Sequence, residues 1–439
     1  MMFPATIFAG QRFAVVGLGR NGLPAARALR AMGADVVAWD DRAEIRAAAG
    51  DLTLAMPAMA GLDALVLSPG IAHRLPAPHP LAAAALAAHV PILSDAELLF
   101  RAVRAAGSRA RFVGITGTNG KSTTTALLAH IVETAGMKVA AGGNLGTAAL
   151  ALPLLPDDGV YVLEMSSYML ERLARLAFDV AVMLNLSPDH LDRHGDMAGY
   201  AAAKRHVFDR QGAAATAVLG CEDSWSLEMA AALARDGAAR VVRIHADPPL
   251  AALADARALP GAHNAQNAAA AAAAASALGI AQADIDAGIR SFPGLPHRQE
   301  RVGEARGVAF VNDSKATNAD STARALGCYA RVVWIAGGMA KEGGIESLAP
   351  YFPRVALALL IGRDAPILAE TLAAHGVAHR IVGTLEAAVA QGWAAARDGA
   401  ADTVLLSPAC ASWDQFTGFD QRGDRFRALA EAIVAKEAR

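Results

Sequence analysis

The run Gly117-Thr118-Asn119-Gly120-Lys121-Ser122-Thr123 gathers the groups a polyphosphate needs. Two glycines permit a tight turn, Lys121 supplies a mobile cation, and Ser122 or Thr123 offers a hydroxyl to Mg²⁺. The apolar run Phe112–Ile115 precedes it and a helical pattern through Leu127-Leu128 follows, so a buried strand should feed the loop into a helix. Backbone N–H groups and the positive end of the helix dipole then converge on one spot. The eight-residue P-loop pattern is incomplete, because Ile115 stands where its first glycine belongs. A plain glycine turn with a solvated lysine is the alternative. The strand before the loop and the run of hydroxyl residues after Lys121 weigh against it.

Other reactive side chains sit just past apolar runs. Glu164 ends Val160-Tyr161-Val162-Leu163, where a carboxylate beside a phosphate loop is a natural Mg²⁺ ligand. An acid answering a helix dipole is the blander reading. Asn144 lies in the glycine-rich stretch Gly142–Gly146, open to a closely approaching substrate. His190 follows the apolar strand Asp179–Leu186, at the same sheet edge as Lys121 and Glu164. Lys204, taken alone, reads as an ordinary cation on a helix surface. Asn264 and Asn267 share a helix face and could read a heterocyclic base or cap the helix, with equal weight.

These groups need a scaffold of strands ending at one edge. A strand from Arg12 to Gly17, a helix from Leu23 to Met32 and a strand from Ala34 to Trp39 form a βαβ unit around Gly17-Leu18-Gly19-Arg20-Asn21-Gly22. With an acidic residue about 20 positions on, this is the dinucleotide fingerprint. Alone it suggests an NAD-dependent dehydrogenase, but it establishes only that a diphosphate can sit at the helix start. Ser68-Pro69-Gly70 ends the next strand, Ala64–Leu67, and Asp40 to Arg42 fall near a nucleoside bound there. Strands at Gly307–Val311, Arg331–Ala336, Leu357–Ile361 and Thr403–Leu406 indicate a further sheet, with Asp313, Lys315, Thr317 and Lys341 just past strand ends. The pattern is α/β in three domains, roughly 1–105, 106–297 and 298–439.

Composition narrows the class. The chain has 439 residues, too many for one core. A formal net charge of −2 provides no global pull toward nucleic acid or an anionic membrane. Three scattered cysteines (Cys221, Cys328, Cys410) fit a reducing compartment. Met1–Gly10 lacks the basic-then-apolar form of a signal peptide, and the alanine-rich runs are too short to span a bilayer, so a soluble cytoplasmic protein is expected.

In order along the chain, Gly117–Ser122, Gly143-Asn144, Glu164-Met165-Ser166-Ser167, Asp189-His190-Leu191-Asp192, Tyr200 to Lys204 and His263-Asn264 to Asn267 resemble the Mur ligases, ATP-dependent amide-bond-forming enzymes of peptidoglycan synthesis. Leu295–Arg298, Asn312–Asn318 and Leu406–Phe416, with Phe419 and Gln421-Arg422-Gly423, are similar to the branch that adds D-glutamate to UDP-N-acetylmuramoyl-L-alanine. The resemblance implies a Rossmann-like first domain, a P-loop ATPase-like central domain and a Rossmann-like third domain, in a monomer acting on small molecules. It assigns Gly17, Leu18, Gly19, Arg20, Asp41, Arg42, Ser68, Gly70, Asn144 and His190 to the UDP-sugar. ATP falls to Gly117–Thr123, Asn264, Asn267, Arg298 and Asp313, and glutamate to Lys315, Thr317, Lys341, Ser412 and Phe419. Ser122, Glu164, His190 and Lys204, the last carboxylated to a carbamate, would hold Mg²⁺ at two sites. Lys121, His190, Lys204 and Lys315 would carry catalysis. Met169 departs from the family, which places glutamine there against the muramoyl group. A folylpolyglutamate-type or another Mur ligase is the runner-up.

Overall fold

The computed structural model describes residues 1–144, 146–341 and 343–438; Leu145, Glu342 and Arg439 lie outside them. Apolar strand runs bounded by glycine turns build three sheets. In the first, Thr53–Leu54, Asp35–Trp39, Arg12–Val16, Ala64–Leu67 and Ile92–Leu93 lie side by side in that order, all parallel. The second is ordered Arg240–Ile244, Thr216–Gly220, Val180–Met183, Arg111–Thr116, Val160–Glu164, Val139–Gly143, again all parallel. Both faces of a parallel sheet are covered by helices, so its strands can be apolar throughout. Val160–Glu164 and Val180–Met183 are buried at every position.

Arg111–Thr116 has the strand Val160–Glu164 on one side and Val180–Met183 on the other. The chain leaves Arg111–Thr116 toward Val139–Gly143 on one side and leaves Val180–Met183 toward Thr216–Gly220 on the other, so the carboxyl ends of these two strands flank the crevice where α/β sheets bind ligands. The Gly117–Gly120 turn sits there and runs into the helix Lys121–Thr134.

The third sheet runs Glu300–Ala305, Val308–Asn312, Thr403–Leu406, Val332–Gly337, Val355–Ile361, His379–Gly383. Two of its strands are absent from the sequence reading. Glu300–Ala305 and His379–Gly383 lie at the edges, and each is too polar to stand out as an apolar run. The first pairs antiparallel with Val308–Asn312 through the two-residue turn Arg306-Gly307, both at positive φ (48° and 78°). That turn matches the twist of a hairpin.

The chain divides into two compact units, residues 1–256 with 262–292, and residues 257–261 with 293–439. The first holds the first two sheets. Their junction is polar and specific: the buried Glu97 carboxylate accepts the N–H groups of Ala174, Arg175 and Leu176, and the Asn21 amide donates to the Gly143 carbonyl at 3.0 Å. Arg172, 2% exposed, donates to the carbonyls of Leu67, Ser68 and Ile71.

Candidate active site

In the first unit, a cavity of about 540 Å³ opens at the carboxyl end of the first sheet. It is lined by Gly17, Gly19, Arg20, Asp41, Arg42, Ser68, Gly70 and Asn144, eight of the residues assigned to the UDP-sugar. Gly17 has φ 86°, and a Cβ there would press on Ile71 and Ser68. Leu18 is different: its side chain is buried and its N–H donates to Asp40 at 2.8 Å. Asp40 also accepts from the Arg42 N–H, so it shapes the loop from within. Asp41 faces outward, and hydrogen bonds from His79 and Trp39 hold its carboxyl below the usual range. His190 is not among the residues lining this cavity.

The phosphate loop is preformed. Gly120 is left-handed (φ 86°), and a Cβ there would collide with the Asn267 amide oxygen. Lys121 Nζ folds back onto the carbonyls of Gly117 (3.0 Å) and Thr118 (2.8 Å). Ile115 is buried in the strand, which accounts for the missing first glycine: the turn begins later.

Lys204 departs from a surface cation. It is 2% exposed, with Nζ 2.8 Å from the Gly117 carbonyl and 3.2 Å from Thr116 Oγ1. Burial, and then the charge of Lys121, push its pKa well below the ordinary lysine value. Glu164 is also buried; Oε1 accepts the Asn144 amide at 2.8 Å, while Oε2 has no hydrogen-bond partner among the described residues. A buried carboxylate oxygen without a donor suits a hard cation. Among the described residues no group of three or more His, Cys, Asp and Glu side chains stands ready for a metal.

His190 takes a left-handed conformation (φ 52°), edge-on to Tyr168 with ring centroids 5.3 Å apart. Its Nε2 lies 3.5 Å from an Asp189 carboxylate oxygen, and no hydrogen bond joins it to Glu164 or Lys204 among the described residues. Met169 is 1% exposed in the core, so its side chain is withdrawn from the site. Asn264 and Asn267 lie on the helix Ala262–Ala277, where Asn267 donates to Asn264 at 3.0 Å and accepts from Thr124 at 3.3 Å. Their amides are tied to the phosphate-loop helix.

In the second unit, Asp313 follows the strand Val308–Asn312 and is buried. Burial pushes its carboxyl up to about 7, against the opposing Ser407 hydroxyl (2.7 Å), the Gln299 N–H and the charge of Arg298. Lys315 Nζ lies over the Phe419 ring, 5.4 Å from its centre. The Thr317 N–H returns to the Lys315 carbonyl. Lys341 is two residues past Met339, whose backbone pairs with Ala411, next to the buried Ser412. Arg422, 1% exposed, fastens these loops by donating to the carbonyls of Ser314, Gly337 and Cys410. Sequence reasoning gave Arg422 no role, since an arginine in a helix reads as solvated. It likewise passed over Asn185, whose side chain holds the phosphate loop, because that residue sat inside a run read as apolar strand.

A glycine loop at a sheet switch point, a second glycine turn over a cavity and, in the second unit, a polar cluster past a strand end are the features to set beside known families. The profile of the Mur ligase middle domain matches residues 115–275, and that of the Mur ligase glutamate ligase domain matches residues 297–410. The UDP-N-acetylmuramoylalanine–D-glutamate ligase of Paramagnetospirillum magneticum is 48% identical, over 98% of this chain and 99% of its own. Its counterpart in Caulobacter vibrioides is 45% identical over 99% and 98%. Among solved structures, the UDP-N-acetylmuramate–alanine ligase of Thermotoga maritima has the same fold, with a TM-score of 0.59 at 16% identity over 96% of this chain and 99% of that one. The chain belongs to the Mur ligase family, and within it to the branch of these D-glutamate ligases.

Proposed function

We propose that this protein joins D-glutamate to UDP-N-acetylmuramoyl-L-alanine at the expense of ATP, yielding ADP and phosphate, in the cytoplasmic stage of peptidoglycan synthesis. Full-length relatives of 45–48% identity that carry this activity in their names support the reaction. The preformed phosphate loop with Lys121 folded across it is the observation that carries the chemistry.

The cavity over Gly17–Arg20 would take the UDP group, with diphosphate at the start of the helix Gly22–Ala31 and the nucleoside toward Asp41 and Arg42. Gly117–Thr123 would hold the ATP phosphates, and Lys121 would turn from its two carbonyls to the transferred phosphoryl group. A carboxylate oxygen of the substrate alanine attacks the γ-phosphorus, the bond to ADP breaks, and an acyl-phosphate forms. The glutamate amine then adds to the acyl carbon. The carbon–oxygen bond to phosphate breaks, phosphate leaves, and the amine gives up a proton. Lys315, Thr317, Lys341, Ser412 and Phe419 would seat the glutamate, with lysines matched to its carboxylates. Asn264, Asn267, Arg298 and Asp313 would serve ATP. Glu164, Ser122, His190 and Lys204 as its carbamate would hold Mg²⁺ at two sites, and the ion would neutralise developing phosphate charge. The buried Glu164 Oε2, unpartnered among the described residues, supports that assignment.

Lys121→Ala tests the scheme. It should abolish phosphate release from ATP in the presence of both co-substrates while leaving the far-UV circular dichroism unchanged. Near-normal turnover would overturn it. Supplying L-glutamate in place of D-glutamate in the same assay defines the enantiomer.

A further inference from the structure

A chain of side-chain amides runs from the phosphate loop to the helix that carries Asn264 and Asn267. Asn185 accepts the Asn119 N–H at 2.9 Å and returns a hydrogen bond to the Asn119 carbonyl at 3.3 Å. Its backbone carbonyl accepts the Thr118 N–H at 2.9 Å. The same Asn185 amide donates to Gln266 Oε1 at 2.9 Å, and Gln266 Nε2 donates to Glu222 Oε2 at 3.3 Å. Glu222 is anchored in turn by the Ala246 N–H on its other oxygen.

The direction of every bond is set from one end. A carboxylate can only accept, so Gln266 must present its NH₂ to Glu222 and its carbonyl to Asn185. Asn185 must then turn its own NH₂ toward Gln266, leaving its carbonyl for the Asn119 N–H. There is little slack around Gln266, which is 6% exposed and lies where a Cβ on Gly220 would touch its amide. Gln266 also stands directly before Asn267, which touches Thr124 of the phosphate-loop helix.

We propose that Asn185 and Gln266 are positioning residues for nucleotide binding. They lock the Thr118–Asn119 segment in its bound shape and tie it to the Asn264–Asn267 helix. The inference rests on reading Gly117–Thr123 as the ATP loop. Preset loop amides cost no reorganisation when the polyphosphate arrives, so losing the relay should appear in ATP binding and not in UDP-sugar binding.

The test is a reversal of polarity. Gln266→Glu sets two carboxyl groups against each other and should raise KM for ATP about five- to tenfold, with KM for UDP-N-acetylmuramoyl-L-alanine within about twofold of the wild type. Adding Glu222→Gln restores a donor facing an acceptor, and the double variant should return KM for ATP close to the wild-type value. Asn185→Ala should shift KM for ATP in the same direction. The proposal is overturned if Gln266→Glu leaves KM for ATP unchanged, if both KM values rise together, or if the double variant is no better than the single one. The swap preserves side-chain size, so poor folding of the alanine variant does not blunt the test. A wild-type protein that releases no phosphate from ATP would overturn the loop assignment itself, and the relay with it.

Discussion

Lys204 carries its amine into a place that disfavours an ammonium ion. It is buried beside the cation Lys121, and both influences favour the neutral form. A neutral amine has the free electron pair needed to add to CO₂, and loss of its proton leaves an anionic carbamate. The modification proposed on family grounds therefore has a local physical cause. Lys204→Ala should be inactive, and short carboxylic acids added to the assay should partly restore phosphate release. A fully active alanine variant would show that the buried amine only supports the loop. Nothing in the sequence around Lys204 disclosed its burial, because Tyr200-Ala201-Ala202-Ala203-Lys204-Arg205 reads as any amphipathic helix. The Gly117–Thr123 loop, by contrast, was legible at once, since its glycines are dictated by backbone angles that few other residues adopt. Met169 went the other way: the family pattern pointed to a substrate contact, and the packing places the side chain in the core.

At the level of elements, strand ends were readable and the fastenings between them were not. Runs such as Val160–Leu163 announce a buried parallel strand, while Glu97 in the first turn of the helix Asp95–Ala105 looks like a dipole-matching acid. It is instead fully buried, with its oxygens taking three consecutive N–H groups 77 to 79 residues away and the Arg101 guanidinium. Partners so distant in sequence leave no periodic trace. Glu97→Ala would strip that loop of its acceptor and leave buried donors unpaired, at a cost of about 3–5 kcal/mol. Urea denaturation of the variant should show a midpoint lowered accordingly. Glu97→Gln, which keeps one acceptor, should fall between the two.

On the scale of the whole molecule, particular buried groups in the two compact units respond to acid with opposite sign. In the first, burial lowers His73 to about 3 and His194 to about 4, against 6.5 for an ordinary histidine. At these two histidines the unfolded chain binds more protons between those values, so their contribution is full above pH 6.5 and is lost as pH falls toward 4. In the second, Asp313 is raised from 3.8 to about 7. Here the folded state holds the extra proton, so the contribution is full below 3.8 and is lost as pH rises through 7. Hydrogen exchange resolved by peptide, corrected for intrinsic rates, should show protection around His73 and His194 falling from pH 7 to pH 5. Over the same change, protection around Asp313 should rise. A common trend around the two histidines and around Asp313 would contradict the assignment.

The loop after Ser412 has a further property of practical weight. Of the five tryptophans, Trp413 alone is exposed, at 68%, and it adjoins a side chain assigned to the glutamate pocket. Trp334 is sealed in the sheet with its indole N–H on the Ser407 carbonyl, and Trp393 is buried as well. An indole in water emits at longer wavelength than one in a dry interior. The red edge of the protein's fluorescence is thus weighted toward Trp413, and the chain carries a built-in optical label beside the proposed glutamate-binding residue Ser412.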